Sequence, residues 1–425
     1  MKEAGHGIVV ASGLEPTWLP PMIRVRQTQE QSSITDIAGE VKRQLSLAGL
    51  ERRLRPASRV AVTAGSRGIH NIALILETVT GEIRRLGALP FLVPAMGSHG
   101  GATAEGQREV LEEYGITEER MGCPILSEME PVPIGSTPSG VPAYMDRNAH
   151  AADAVVVVAR VKPHTSFRAP VESGLCKMMA VGLGKQRGAE AIHRFGLGPV
   201  IEEVARVSLA TGKIALGLAI VENSREETCC LEAVAPEHIP ERDRALLKQA
   251  DGLLPRVPFD PLDLLLVDFM GKNISGAGMD PNVIGLWRRL EGVPKRPFYK
   301  RVAVLRLTPE SGGNAIGIGL ADFATRHLFG QIDFPKTYKN AMTAHEPQTA
   351  RIPMLGESDR EAAEMALKSA AHSGEPRVVR IRNTLHLTEY WISPALQQEA
   401  AAVPGLEIVG AAEPLPFDSR GNLPL

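Results

Sequence analysis

Apolar residues in this chain come as short runs separated by amphipathic stretches, first clearly from residue 57 onward. Arg59 to Thr63 and Leu89 to Met96 predict buried strands, and Ile69 to Leu86 and Thr103 to Tyr114 predict helices. Ala154 to Ala159 and Ile214 to Val221 predict further strands, with a helix from Ile201 to Ala210 between them. Strands that alternate with helices imply a parallel sheet covered on both faces. The prolines in Leu253 to Pro261 bar helix and central strand, so this segment reads as a linker. Beyond it, strands are expected at Leu264 to Asp268, Val302 to Leu307, Val378 to Ile381 and Leu406 to Val409. Helices are expected at Leu320 to Phe329, Thr337 to Thr343 and Ser358 to Ala371. The first fifty residues give no clear pattern.

This organisation is α/β. We expect an N-terminal domain over 1–255 with a mainly parallel, Rossmann-like sheet, and a smaller α/β domain over 256–410. A tail over 411–425 is expected to pack back on the N-terminal domain, and the active-site cleft to lie between the two. A length of 425 residues fits two cores better than one. The net charge of −2, without blocks of like charge, points away from nucleic acid and membrane as partners. The four cysteines form no C-x-x-C pair, and no segment has the apolar length of a membrane span. A cytoplasmic protein acting on a small molecule is the expectation, with homo-oligomerisation left open.

The chemistry-bearing residues follow the strands. Gly97-Ser98-His99-Gly100-Gly101 follows one buried strand and Lys162-Pro163-His164-Thr165 another. Ligands of open α/β sheets bind beyond the carboxyl ends of strands, and an imidazole there can serve as acid, base or metal ligand. His99 is equally readable as a surface residue in a turn, whereas His164, behind a proline and a wholly apolar strand, reads better as functional. Lys177 lies beside a face formed by Val171, Leu175, Met178, Met179 and Gly182 at helical spacing. It either snorkels to water or acts as a nucleophile. His193 is a helix-surface residue or a metal ligand, with no second histidine at i+4. Ser66 is placed to cap the next helix, and Arg67 to hold that helix or to fork onto a carboxylate or phosphate. Gly184-Lys185 lacks the glycine spacing and the Ser or Thr of a P-loop. In the second domain, the polar, Gly-rich run from Lys272 to Asn282 reads as a binding loop. His327, His345, His372 and His386 have no metal-ligand spacing and read as structural.

In order and approximate spacing, Ser66-Arg67, Gly97-Ser98-His99, Pro163-His164, Lys177 and His193 resemble the nickel-dependent lactate racemase family over residues 57 to 200. The resemblance implies a nickel-pincer nucleotide attached through Lys177, with His193 as metal ligand and Ser66 and Arg67 as cofactor contacts. It implies His99 and His164 as an acid/base pair in a 2-hydroxy-acid racemase or epimerase. The departures are as specific. Ala64 replaces the family's acidic residue, and Phe167 to Gly174 replaces its glycine-rich loop and adds Arg168 and Glu172. The family's second-domain Gln and Lys have no evident match, with Gly285, Arg288 and Lys272 nearest. Arg67, Arg168, Lys272 and Arg288 are therefore the substrate-binding candidates, suited to a substrate larger or more anionic than lactate. The rival reading is a non-catalytic binder of a nucleotide or organic anion on the same scaffold. An ordinary nicotinamide-dependent oxidoreductase ranks last, because no G-x-G-x-x-G turn follows Thr63.

Overall fold

The computed structural model describes residues 19–28, 32–66 and 68–424. The chain forms two compact units, residues 31–254 and residues 1–30 together with 255–425. Both are α/β.

In the first unit a five-stranded sheet has the order Leu89–Pro94, Arg59–Ala64, Ala154–Arg160, Ile214–Glu222, Thr228–Val234. The first four are parallel and the last is antiparallel. Strand Ala154–Arg160 shows why these runs become strands. Val155, Val157 and Ala159 enter one apolar layer and Val156 and Val158 the other, so both faces are buried. β-branched residues suit that pleated setting, and each fully buried valine contributes roughly 1.5–3 kcal/mol. Helices Ile37–Leu47 and Ile72–Arg85 cover one face, while Leu197–Ala210 and Ile239–Leu253 cover the other. From Arg59–Ala64 the chain moves outward to Leu89–Pro94, then crosses back to Ala154–Arg160 on the other side. The reversal makes a topological switch point at the carboxyl ends of Arg59–Ala64 and Ala154–Arg160, where such sheets hold ligands.

In the second unit an eight-stranded sheet runs Met354–Gly356, Phe323–Thr325, Tyr299–Leu307, Leu262–Met270, Val378–Ile381, Glu389–Ile392, Met22–Gln27, Leu406–Glu413. Five strands are parallel and the last three are added antiparallel. Three expectations are corrected here. The strand Met22–Gln27 belongs to this sheet, so the N-terminal domain does not begin at residue 1. The C-terminal tail packs on this same unit: Leu415, Phe417 and Leu423 join its apolar layer, and Leu423 N–H donates to Asp359 at 2.9 Å. The helix expected over Leu320 to Phe329 is a strand, Phe323–Thr325, followed by a short helix, Arg326–Gly330. Parallel pairing of that strand on both sides overrides the helical spacing. No helix among the described residues is long and apolar enough to cross a membrane.

Candidate functional site

Three loops of the first unit leave its parallel strands at their carboxyl ends. After Arg59–Ala64 come Gly65 and Ser66, and Ser66 Oγ is hydrogen-bonded to His99 Nδ1. The Tyr114 hydroxyl donates to the Ser66 carbonyl at 3.2 Å. Ser66 therefore does not cap the next helix, which starts at Ile72 after Asn71 in a left-handed conformation without a side-chain cap. Arg67 lies outside the described residues.

The His99 turn is exposed above and fastened from below. The Gln107 amide, fully buried, donates to the carbonyls of Gly97 at 2.9 Å and His99 at 3.2 Å. Its own carbonyl accepts from Lys185 Nζ at 3.2 Å, and the same ammonium bonds the Pro94 carbonyl and pairs with Asp146 at 3.0 Å. Burial pushes the Lys185 ammonium below the usual lysine range, with Asp146 pulling the other way. Gly97 takes a positive φ of 60°, and a Cβ there would meet Val181 Cγ1 at 3.2 Å, so only glycine fits comfortably.

The His164 loop is closed by Glu172, which is 4% exposed. This carboxylate accepts the His164 N–H at 2.7 Å, the Ala169 N–H at 3.1 Å and the Arg168 guanidinium at 3.2 Å. Arg168 donates in addition to the His164 carbonyl at 2.8 Å. Arg168 thereby braces this loop while its side chain stays partly exposed. The imidazole of His164 stacks on Phe167 with ring centroids 4.3 Å apart, and Lys177 Nζ lies 5.5 Å from the same Phe167 ring. One aromatic side chain thus touches both His164 and Lys177.

Lys177 ends the short helix Gly174–Lys177, and the next five residues, Met178–Gly182, form a π-helical turn. The continuous helical face expected from Val171 onward is therefore interrupted just after Lys177. Such π segments recur at functional sites because the wider turn re-aims side chains. Asp243, from helix Ile239–Leu253, accepts the N–H groups of Leu175 at 3.1 Å and Cys176 at 2.7 Å and so anchors the helix start. Burial pushes the Asp243 carboxyl up to about 6, against the lowering effect of those two N–H groups. The helix lies hard against the strand ends: a Cβ on Gly182 would come within 2.7 Å of the Ala95 carbonyl, and one on Gly65 within 3.2 Å of Met178 Cε. Ser66, His99 and His164 accordingly stand on loops that follow strands of one sheet, and Lys177 on the short helix Gly174–Lys177 packed beside the strand ends.

His193 is exposed in the last turn of helix Lys185–Phe195. Among the described residues no three His, Cys, Asp or Glu side chains come together as a metal cage. This unit offers the His193 imidazole on helix Lys185–Phe195 and the Lys177 amine at the end of helix Gly174–Lys177 as single donors. In the second unit Lys272 Nζ donates to the Gly276 carbonyl of its own Gly-rich loop at 2.9 Å and to Asn340 of the helix Phe334–Thr343 at 3.3 Å. Arg288, expected to bind substrate, is instead a buried structural node. Its guanidinium donates to Asp322 at 2.9 Å, the Leu320 carbonyl at 3.2 Å and the Tyr299 carbonyl at 2.6 Å, and it stacks on Trp287.

Sequence reasoning missed Gln107, Asp243 and the positional role of Lys185. Glu172 was noticed only as an added charge. None has a local signature, since each acts on residues brought near by the fold, and only a helical position turned toward the sheet could have singled out Gln107.

No family model matches the chain, and no curated protein matches it. Among solved structures, the lactate racemase apoprotein from Thermoanaerobacterium thermosaccharolyticum aligns with a TM-score of 0.54 at 11% identity, over 86% of this chain and 98% of that one. A protein from Thermotoga maritima aligns with a TM-score of 0.46 at 14% identity, over 82% and 85%. By the first of these comparisons, this chain has a lactate racemase-like α/β fold.

Proposed function

We propose that this protein is a 2-hydroxy-acid racemase or epimerase that works with a nickel-pincer nucleotide carried on Lys177. The observation that supports this reading best is the Phe167 ring, which contacts both His164 and the Lys177 ammonium at the switch point of a lactate racemase-like fold. His193 is the imidazole assigned to nickel, and Ser66 and Arg67 are the residues assigned to cofactor contact. When bound, the group supplies reversible hydride acceptance at the carbon bearing the hydroxyl.

The remaining work belongs to side chains. His99 and His164 are the two imidazoles proposed at the substrate hydroxyl, where acid/base work is worth on the order of 10²–10⁴-fold in rate. Glu172 and Arg168 hold the His164 loop, and Gln107 with Lys185 holds the His99 turn, so both imidazoles are presented with little freedom to lose on binding. Asp243 fixes the start of the helix that carries Lys177. In the second unit, Lys272 is the basic residue proposed for the substrate.

The test is intact-protein mass spectrometry with metal analysis on protein made in cells that synthesise the cofactor. We expect a mass addition located at Lys177 and about one nickel per chain, both lost in Lys177→Ala, together with interconversion of a 2-hydroxy acid. Unmodified, nickel-free protein that is inactive on such acids would defeat the proposal. Binding of an anion that survives Lys177→Ala would favour a non-catalytic binding protein.

A further inference from the structure

His99 and His164 meet different partners at the same ring atom. At His164, Nδ1 lies 3.2 Å from the backbone nitrogen of Ser166 and 3.0 Å from the Ser166 hydroxyl. A backbone N–H can only donate, so the ring nitrogen facing it is the unprotonated one. In the neutral ring the proton then resides on Nε2. A proton on Nδ1 would set two N–H groups head to head, and the loop has little room to relieve them. Its His164 N–H is held by Glu172, its His164 carbonyl by Arg168, and its base by the two bonds between Ser173 and Lys162. At His99 the Nδ1 partner is Ser66 Oγ. A hydroxyl donates or accepts according to its rotation, so this contact suits either tautomer.

We propose that the two histidines are chemically unequal: the Ser166 main chain fixes His164 as an Nε2–H donor, and His99 alone exchanges a proton with the substrate hydroxyl. The inference rests on the reading that both imidazoles face the substrate. Proton balance follows from the tautomers. His164 could accept a proton at Nε2 only by first moving its own to the blocked Nδ1, and could release its proton only as an imidazolate anion. It therefore keeps its proton and donates a hydrogen bond to a substrate oxygen. His99 turns Nδ1–H toward Ser66 and accepts the hydroxyl proton at Nε2. It becomes imidazolium and returns that proton to the oxygen when the alcohol is re-formed. Ser66 and Ser166 act here as positioning residues.

The experiment is a long-range proton–nitrogen correlation spectrum of the full chain carrying ¹⁵N-histidine, recorded above about pH 8.5, where ordinary imidazoles are neutral. The variants His99→Gln and His164→Gln assign the two rings. We expect His164 as the Nε2–H tautomer, unchanged in Ser166→Ala because that variant keeps the backbone N–H, and a changed His99 pattern in Ser66→Ala. A His164 proton on Nδ1 in the native chain would overturn the proposal. So would a switch to Nδ1–H in Ser166→Ala, since the hydroxyl and not the main chain would then set the tautomer. The spectrum needs neither cofactor nor substrate, so its outcome is separate from whether Lys177 carries a nucleotide.

Discussion

Lys185 and Asp146 form an ion pair 3.0 Å apart with neither side chain exposed to solvent, and it lies directly beneath the turn that carries His99. Asp146 also caps the helix Arg147–Ala151 by accepting the Ala149 N–H at 3.0 Å. Removing one member of such a pair strands the other charge in a medium that cannot solvate it. Lys185→Met is expected to destabilise the fold by about 3–5 kcal/mol. Adding Asp146→Asn, which keeps the cap, should restore much of the loss. Urea midpoints of the two variants check this, and equal midpoints would show that the pair matters little.

Asp243 gives the fold a pH signature. Its carboxyl is raised from the ordinary 3.8 to about 6, because burial opposes the charged form. The folded state thus holds the proton more tightly than the unfolded chain. The contribution of this group to stability is fully present below about 3.8 and is lost as pH rises through about 6. Asp243→Asn removes that dependence. The native-minus-variant difference in unfolding free energy should fall by on the order of 3 kcal/mol between pH 4 and pH 7. Parallel stability curves for the two proteins would contradict the assignment.

Gly174 is the hinge of the same anchor. Its φ is +83°, and a Cβ there would sit 2.5 Å from the Asp243 carboxylate and 2.9 Å from Val161. Gly174→Ala combines backbone strain with a clash, and a loss of at least about 2 kcal/mol is expected. A thermal melt that leaves Tm within a degree of the native value would refute this.

Phe167 is 8% exposed and lies between His164 and Lys177. Phe167→Ala should cost about 3–5 kcal/mol through the cavity alone. Phe167→Leu keeps most of the apolar volume and should cost less than about 1.5 kcal/mol. On the proposed function, the leucine variant folds yet holds His164 and Lys177 less firmly, so activity should fall further than stability does. Activity assays beside denaturation curves on the same preparations separate the two effects.

The strands of the first unit were legible because Ala154–Arg160 and its neighbours are apolar on both faces, a pattern that survives without knowledge of any partner. Thr228–Val234 was not, since in this edge strand only every third residue is buried, which hides the two-residue period of a strand. Phe323–Thr325 was misread as helix because three residues are too few to show a period. At the site, His99, His164 and Lys177 could be picked out by position after strands and by spacing. The supports could not: the Lys185 contacts reach 78 residues to Gln107 and 91 to Pro94, and a lone lysine after glycine carries no sign that it is buried. The same holds for Arg288, whose exposed-looking sequence context hides a buried guanidinium.

Among the described residues the strand Met22–Gln27 pairs with Glu389–Ile392 and Leu406–Glu413, and its bond from Arg26 to Glu389 spans 363 residues. At roughly 5–20 residues per second, this segment waits on the order of 20–70 s for its neighbours to be made. The intervening unit has all its strands available long before then. During synthesis the first unit can therefore complete while Met22, Ile23 and Val25 still lack their sheet neighbours, and these apolar side chains must be kept from other partners until residues 389–413 are made.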